Sequence, residues 1–375
     1  MPGLRPDVDA DGLLEFSVVF TDRSVNHMSA KFQTAMRDIS RMLREAYNAD
    51  AVVVVPGGGS YAMESVARQF AAGRHAFIVR NGWFSYRWSQ ILEMGGFAAK
   101  SAVLMARQTG NRARAPYAPP PIEEVVAKIR EVRPDVVFAP HVETSAGLIL
   151  PDSYITKMAA AAHDVAALLI LDCIASGAIW VDMAATGVDV LISAPQKGWS
   201  ASPSTGLVML SKRAAERLEQ TTSNSFAMDL KKWRAIMAAY EAGGYAYHAT
   251  MPTDALLGLR DAMNETRECG FEKLKDAQWA LGNGVRAMLA AKGVQPVAAD
   301  GFGAPGVVVC YTDDPDIQNG KKFLTEGMQI AAGVPLQVGE GAEFRTFRIG
   351  LFGLDKLTDV EGTIARLKSV VDRVI

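Results

Sequence analysis

Short apolar runs, each stopping at a glycine or polar residue and each followed by a helical pattern, constrain this chain more than any other feature. "AVVVV" (51–55) stops at Pro56 and three glycines, and "HAFIV" (75–79) leads into "RNGWFSYRW". "DVVFA" (135–139) runs into the polar loop "PHVETSAGL", "VAALLIL" (165–171) stops at Asp172, and "VDVLIS" (188–193) stops just before Lys197. Strands with no alternation are buried on both faces, as in a largely parallel sheet covered by helices, so the spacing predicts an α/β fold. Helical spacing falls between them. Met28, Phe32, Met36, Ile39 and Leu43 share a face within 28–47, "YAMESVARQFAAG" reads as a helix closed by Gly73, and "IEEVVAKIREV" as another. After the strand "TGLVML" comes a variable polar stretch, then a long helical region over 253–292. "GVVVCY", an amphipathic segment near Lys321, "FRTFRIGLFG" and a final helix from Asp359 read as a smaller α+β domain. The expected division is 1–255 for the large domain with its N-terminal arm and 256–375 for the small one.

Composition narrows the partners. A net charge of -2 over 375 residues gives no polycationic surface for nucleic acid or anionic lipid. Cys173, Cys269 and Cys310 lie far apart with no CxxC pair, which argues against a disulfide framework or a zinc knuckle and suits a reducing cytoplasm. The N-terminus lacks a basic patch followed by an apolar core, and no apolar run approaches the roughly 20 residues of a membrane span. The expectation is a cytoplasmic protein with no metal site.

Ligands of open α/β sheets sit beyond the carboxyl ends of the strands. Gly58, Gly59 and Ser60 follow a strand and open a helix, where backbone amides and a hydroxyl can cradle a phosphate; a plain tight turn is the alternative. Asp172 places a carboxylate at the mouth of a buried strand, where it needs a cationic or hydrogen-bonding partner. A protonated pyridine nitrogen is one such partner, a helix N-cap or salt bridge another. Lys197, partly buried, can lose its proton and form a Schiff base, or it is a solvated surface lysine. With 25 residues from Asp172 to Lys197 (197 − 172), one connection and one strand fit between them, placing both at neighbouring strand ends. Phe84 or Trp83 can stack on a planar ring, Thr144 offers a hydroxyl, and Arg348 in "FRIG" matches a carboxylate bidentately. Each has an ordinary structural alternative; their order along the chain discriminates.

"GGGSYAMES", "RNGWFSYRW", "HVETSAGL", "LDCIASGAIWVDMAATGVDVLISAPQKGW", "YAYHATMP" and "FRIGLFG" together resemble the class V (fold type I) pyridoxal-phosphate aminotransferases, nearest the alanine–glyoxylate and serine–glyoxylate branch. The resemblance spans about residues 50–355 and implies a mostly parallel sheet of the seven-stranded type with a small C-terminal domain. It implies that Lys197 is the Schiff-base lysine and proton carrier, and that Asp172 holds the pyridinium nitrogen. Gly59, Ser60 and Gln196 would bind the phosphate, Phe84 would stack on the ring, Thr144 would contact the ring oxygen, and Arg348 would take the substrate carboxylate. Tyr247 and Thr250 match a pair that reaches the neighbouring subunit's phosphate, which implies a homodimer with shared active sites. Gln196 before Lys197 and the lack of a loop cysteine depart from the cysteine desulfurases. The N-terminal "EFSVVFTDRSVNHMS" departs from the Gly-Pro-rich start of the branch, and the loop carrying Arg112 and Arg114 has no match in it; roles of Arg23 and His27 stay open. A transaminase acting on a small amino acid and a keto acid such as glyoxylate or pyruvate is the leading expectation. The alternatives are a lyase or other carbon-bond-cleaving enzyme with the same cofactor, and a non-catalytic module that binds a nucleotide through "GGGS".

Overall fold

The computed structural model describes residues 13–375. Seven strands form the central sheet: β1 (Ala51–Pro56), β2 (His75–Arg80), β3 (Lys100–Met105), β4 (Val136–Pro140), β5 (Leu168–Asp172), β6 (Val190–Ser193) and β7 (Thr205–Leu210). Their order is β3-β2-β4-β5-β6-β7-β1, with β7 antiparallel to both neighbours and the other pairs parallel. Strands β1, β2, β4, β5 and β6 therefore deliver their carboxyl ends to one edge. In register, Asp172 stands opposite Pro140 on one side and Ile192 on the other, so the ends of β4, β5 and β6 lie level. Strands β4 to β7 are buried throughout, which is why they carry no alternation. The edge strand β3 escaped the sequence reading because Lys100 and Ser101 face solvent and break the apolar run.

Helix α1 (Ala30–Tyr47) buries Phe32, Met36, Ile39 and Leu43, and Ser29 Oγ caps it by accepting the Phe32 N–H at 3.2 Å. Helix α2 (Gly59–Phe70) follows β1 and ends before Gly73, which lies in the turn beyond. Helix α3 (Trp83–Gly95) follows β2, so "WFSYRW" is a helix start rather than only a turn. The polar stretch after β7 folds as two helices, Lys212–Glu219 and Leu230–Glu241; the second buries Leu230, Trp233, Ile236, Met237 and Tyr240, a spacing the sequence does carry. The helical region 253–292 is two helices, Thr253–Cys269 and Phe271–Ala291, parted at Gly270.

A second, antiparallel sheet of β8 (Val307–Tyr311), β9 (Ala331–Ala332) and β10 (Thr346–Gly350), in the order β8-β10-β9, carries Arg348 opposite Val309 and Ala331. It is fixed over the carboxyl edge of the large sheet. Val309 and Tyr311 pack with Val142, Ala146 and Leu148, and the loop 142–149 exchanges backbone hydrogen bonds with Phe302 and Ala304 at 2.9 and 2.8 Å. Among the described residues, no helix is long and apolar enough to cross a membrane.

Candidate active site

Strand β6 ends at Ser193, and the chain turns through buried Ala194 and Pro195 before presenting Lys197. Two neighbours fix that turn. A Cβ on Gly198 would stand 2.2 Å from the Gly177 carbonyl oxygen, so only glycine fits, and the Trp199 side chain is fully buried against Trp180 at 4.7 Å between ring centroids. The lysine is thus held between two anchored positions. Its Nζ lies 5.0 Å from the Phe352 ring centroid and, among the described residues, has no carboxylate within ion-pair distance. Burial, then the Arg348 charge, lower its pKa; Asp172 opposes them and Arg87 adds to them.

Asp172, at the end of the adjacent strand, is buried, and its Oδ1 accepts the Ile174 N–H at 2.9 Å. Burial pushes its pKa up to about 7, with Glu143 adding to the rise while the Ile174 N–H, Arg87 and Lys197 oppose it. Both groups line one cavity of about 160 Å³. Gly59 and Ser60 from α2, Phe84 from α3, Thr144 from the loop after β4, and Gln196 line it too. Gly58 lies just behind with φ of 140°, a conformation that favours glycine. At Gly59 a Cβ would stand 2.5 Å from Ile174 Cδ1.

Arg348 approaches from the small sheet. Its Nε donates to the Ala332 carbonyl at 2.8 Å, and its guanidinium lies 5.6 Å from the Phe84 ring centroid. Burial lowers its pKa, with Glu143 opposing. Tyr247 and Thr250 are not at this cavity. They sit 3.3 Å apart, hydroxyl to hydroxyl, on the wall of a separate, larger cavity of about 360 Å³ shared with Ser24 and His27. Tyr247 is 57% exposed in this chain alone. The Arg112/Arg114 loop is remote as well: Arg114 pairs with Asp313 on the surface and Arg112 is exposed. Arg23 pairs with Asp22 at 3.4 Å. Cys173 is buried, and burial raises its pKa well above the usual thiol value.

Sequence patterns did not mark two groups at the site, Glu143 beside the cavity and Arg87 on its lining. Glu143 is fully buried and takes the first-turn N–H groups of α3, from Phe84 at 3.1 Å and Ser85 at 2.9 Å. It also accepts both the N–H and the hydroxyl of Ser145, at 3.1 and 2.7 Å, and the Ser85 hydroxyl at 2.7 Å. This carboxylate fixes the helix that carries Phe84. Arg87, on the same face as Phe84, donates from Nη1 to Ser60 Oγ at 3.1 Å and lies 4.8 Å from the Phe84 ring centroid. The three-residue spacing Phe84–Arg87 was a signal, visible once α3 is recognised as a helix.

No family model matches the chain. The 2-aminoethylphosphonate–pyruvate transaminase of Burkholderia pseudomallei (strain 668) is 27% identical over 343 residues, 88% of this chain and 86% of its own length. A protein named soluble hydrogenase, small subunit, from Synechococcus sp. (strain PCC 6716) is 25% identical over 354 residues, 92% of this chain and 87% of its own. Among solved structures, the alanine–glyoxylate aminotransferase from Nostoc sp. superposes with a TM-score of 0.77 at 21% identity, covering 93% of this chain and 89% of that one. The ureidoglycine–glyoxylate aminotransferase from Bacillus subtilis gives 0.75 at 21% identity, covering 92% and 88%. The fold is therefore that of fold type I aminotransferases, and the relatives in sequence and structure fit the family that the motifs resemble, the class V pyridoxal-phosphate aminotransferases.

Proposed function

We propose that this chain is a pyridoxal-phosphate-dependent aminotransferase that moves an amino group from a small amino acid to a keto acid such as glyoxylate or pyruvate. The observation that carries this reading is that Asp172, at the end of β5, and Lys197, in the turn beyond the adjacent strand β6, line one cavity. The lysine there has no carboxylate partner among the described residues, and the buried aspartate accepts only one backbone N–H from them.

The residues fit the cofactor. Asp172 lacks a donor that its burial calls for, and a pyridinium N–H is such a donor. Gly59 and Ser60 bring the start of α2 to the cavity, where its backbone amides suit a phosphate, and a Cβ at Gly59 would collide with Ile174 Cδ1 at 2.5 Å. When bound, the group supplies an electron sink that stabilises negative charge at the substrate Cα. Lys197 would be its covalent attachment point. Its lowered pKa leaves a larger neutral fraction near pH 7, so that Nζ can accept the Cα proton and return it later. Asp172, once given a cationic partner, stays ionised. Phe84 bounds the flat face of the site, Thr144 offers its hydroxyl to the ring oxygen, and Gly58, Gly59, Ser60 and Gln196 hold the phosphate. Arg348 receives the substrate carboxylate with its guanidinium fork.

Tyr247 and Thr250 are exposed in the single chain, and the reading gives them to the phosphate of a second subunit in a homodimer with shared sites. Residues 1–255 then form the cofactor-binding domain, and 256–375 the smaller domain that contributes Arg348. The unpaired cysteines suit a cytoplasmic setting. Steady-state kinetics test the reaction type. Parallel double-reciprocal lines for an amino donor and a keto acceptor, without ammonia release, are expected. Ammonia released from a single substrate would refute transamination in favour of a carbon-bond-cleaving reaction.

A further inference from the structure

We propose that Arg87 is a ligand of the cofactor phosphate, so that this anion is bound by a guanidinium in addition to the glycine turn and Gln196. The inference rests on the pyridoxal-phosphate reading above and adds a residue to it.

Three observations converge on Arg87. Its Nη1 donates to Ser60 Oγ at 3.1 Å, which puts the guanidinium at the start of α2, beside the turn where the phosphate would lie. Second, Arg87 is half-buried on the cavity lining and has no carboxylate within 4.0 Å among the described residues. Lys197 and Arg87 line the cavity as cations and Arg348 stands close by, 5.6 Å from the Phe84 ring centroid, whereas Asp172 is the carboxylate on the lining and Glu143 beside it is taken up by the N–H groups of α3. Such an excess of positive charge calls for bound anions, and the cofactor phosphate and the substrate carboxylate are two. Arg348 is held from the small sheet by the Ala332 carbonyl and Arg87 at the start of α2 by Ser60, so the two arginines divide the two anions.

Third, the two helix starts at the site differ in what they leave free. The first-turn N–H groups of α3 are already taken by Ser145 Oγ and by Glu143, at 2.9 Å from Trp83, 3.1 Å from Phe84 and 2.9 Å from Ser85. Helix α2 has Gly58 at its N-cap, with no side chain to cap it. The anion therefore belongs at α2, and Arg87 is the charged side chain that reaches there. A guanidinium can satisfy the Ser60 hydroxyl and a phosphate oxygen together because its donors form a planar fork.

The test compares binding of pyridoxal phosphate and pyridoxal to the cofactor-free protein, followed by absorption or tryptophan fluorescence, in the wild type, Arg87→Met and Arg87→Lys. The two ligands differ only in the phosphate, so their affinity ratio isolates contacts to it. Arg87→Met is expected to lower that ratio by about 10- to 100-fold, the loss of one charge-assisted hydrogen-bonding partner, and to weaken competition by inorganic phosphate in parallel. Arg87→Lys is expected to recover part of the ratio. An unchanged ratio in Arg87→Met, or equal weakening of both ligands, would overturn the assignment. So would a variant that alters only the KM of the amino acid, which would place Arg87 at the substrate. A wild type that binds neither ligand would defeat the cofactor reading itself, an outcome distinct from failure of the Arg87 assignment.

Discussion

Replacing Asp172 with asparagine makes the cofactor-free protein more stable at alkaline pH, even though it damages the site. In the unfolded chain an aspartate titrates near 3.9. In the folded, cofactor-free chain burial raises the Asp172 pKa to about 7. Between these values the folded state binds a proton that the unfolded state does not, so stability falls as pH rises from about 4 to about 7, and the full penalty is present above that. A shift of about 3 pK units at about 1.4 kcal/mol each gives an upper bound of about 4 kcal/mol. Spread over 375 residues, this corresponds to a rise in Tm of about 5 °C. Asparagine keeps an oxygen for the Ile174 N–H and carries no charge to desolvate. Thermal unfolding of both cofactor-free proteins at pH 5 and pH 8 measures the effect. The variant is expected to melt several degrees higher at pH 8, with most of that difference gone at pH 5. Pyridoxal phosphate should then stabilise the wild type more than the variant, because only the carboxylate gains from a pyridinium partner. A cofactor-free Asp172→Asn protein no more stable than wild type at pH 8 would refute the reasoning.

Glu143→Gln leaves a buried amide facing donors that all need an acceptor; it is expected to cost about 1–3 kcal/mol in urea unfolding and to weaken cofactor binding by loosening the start of α3. Arg348→Lys keeps the charge but loses the planar fork, so KM for both amino and keto acid is expected to rise about 10-fold or more while the cofactor affinity stays near wild type. Trp88→Ala removes a fully buried ring stacked on Phe138 at 4.3 Å, for an expected loss of about 3–5 kcal/mol in the same unfolding experiment.

The chain announces its sheet because β4 to β7 are buried on both faces and read as unbroken apolar runs. Asp172 and Lys197 are legible for the same reason: a charge at the end of such a run stands out, and parallel strands send their ends to one edge. Edge strand β3 has no such signature, since water accepts its polar residues. Glu143 and Arg87 were harder to read. The carboxylate sits in a polar loop, and its role exists only because β4 and β2 are neighbours, which brings that loop to the start of α3. Arg87 required α3 to be recognised as a helix before its alignment with Phe84 could be seen. Tyr247 and Thr250 were picked out by the family resemblance alone, and in the single chain they line a different cavity from Lys197.

The central claim is that Lys197 holds pyridoxal phosphate and carries the transamination. Its most direct test is the visible absorption spectrum of the purified protein incubated with pyridoxal phosphate, recorded for the wild type and Lys197→Ala. The account predicts a visible band in the wild type that one amino acid bleaches and a keto acid restores, and neither that band nor turnover in a variant that remains folded. A wild type that stays colourless, or a Lys197→Ala protein that still transaminates, would contradict it.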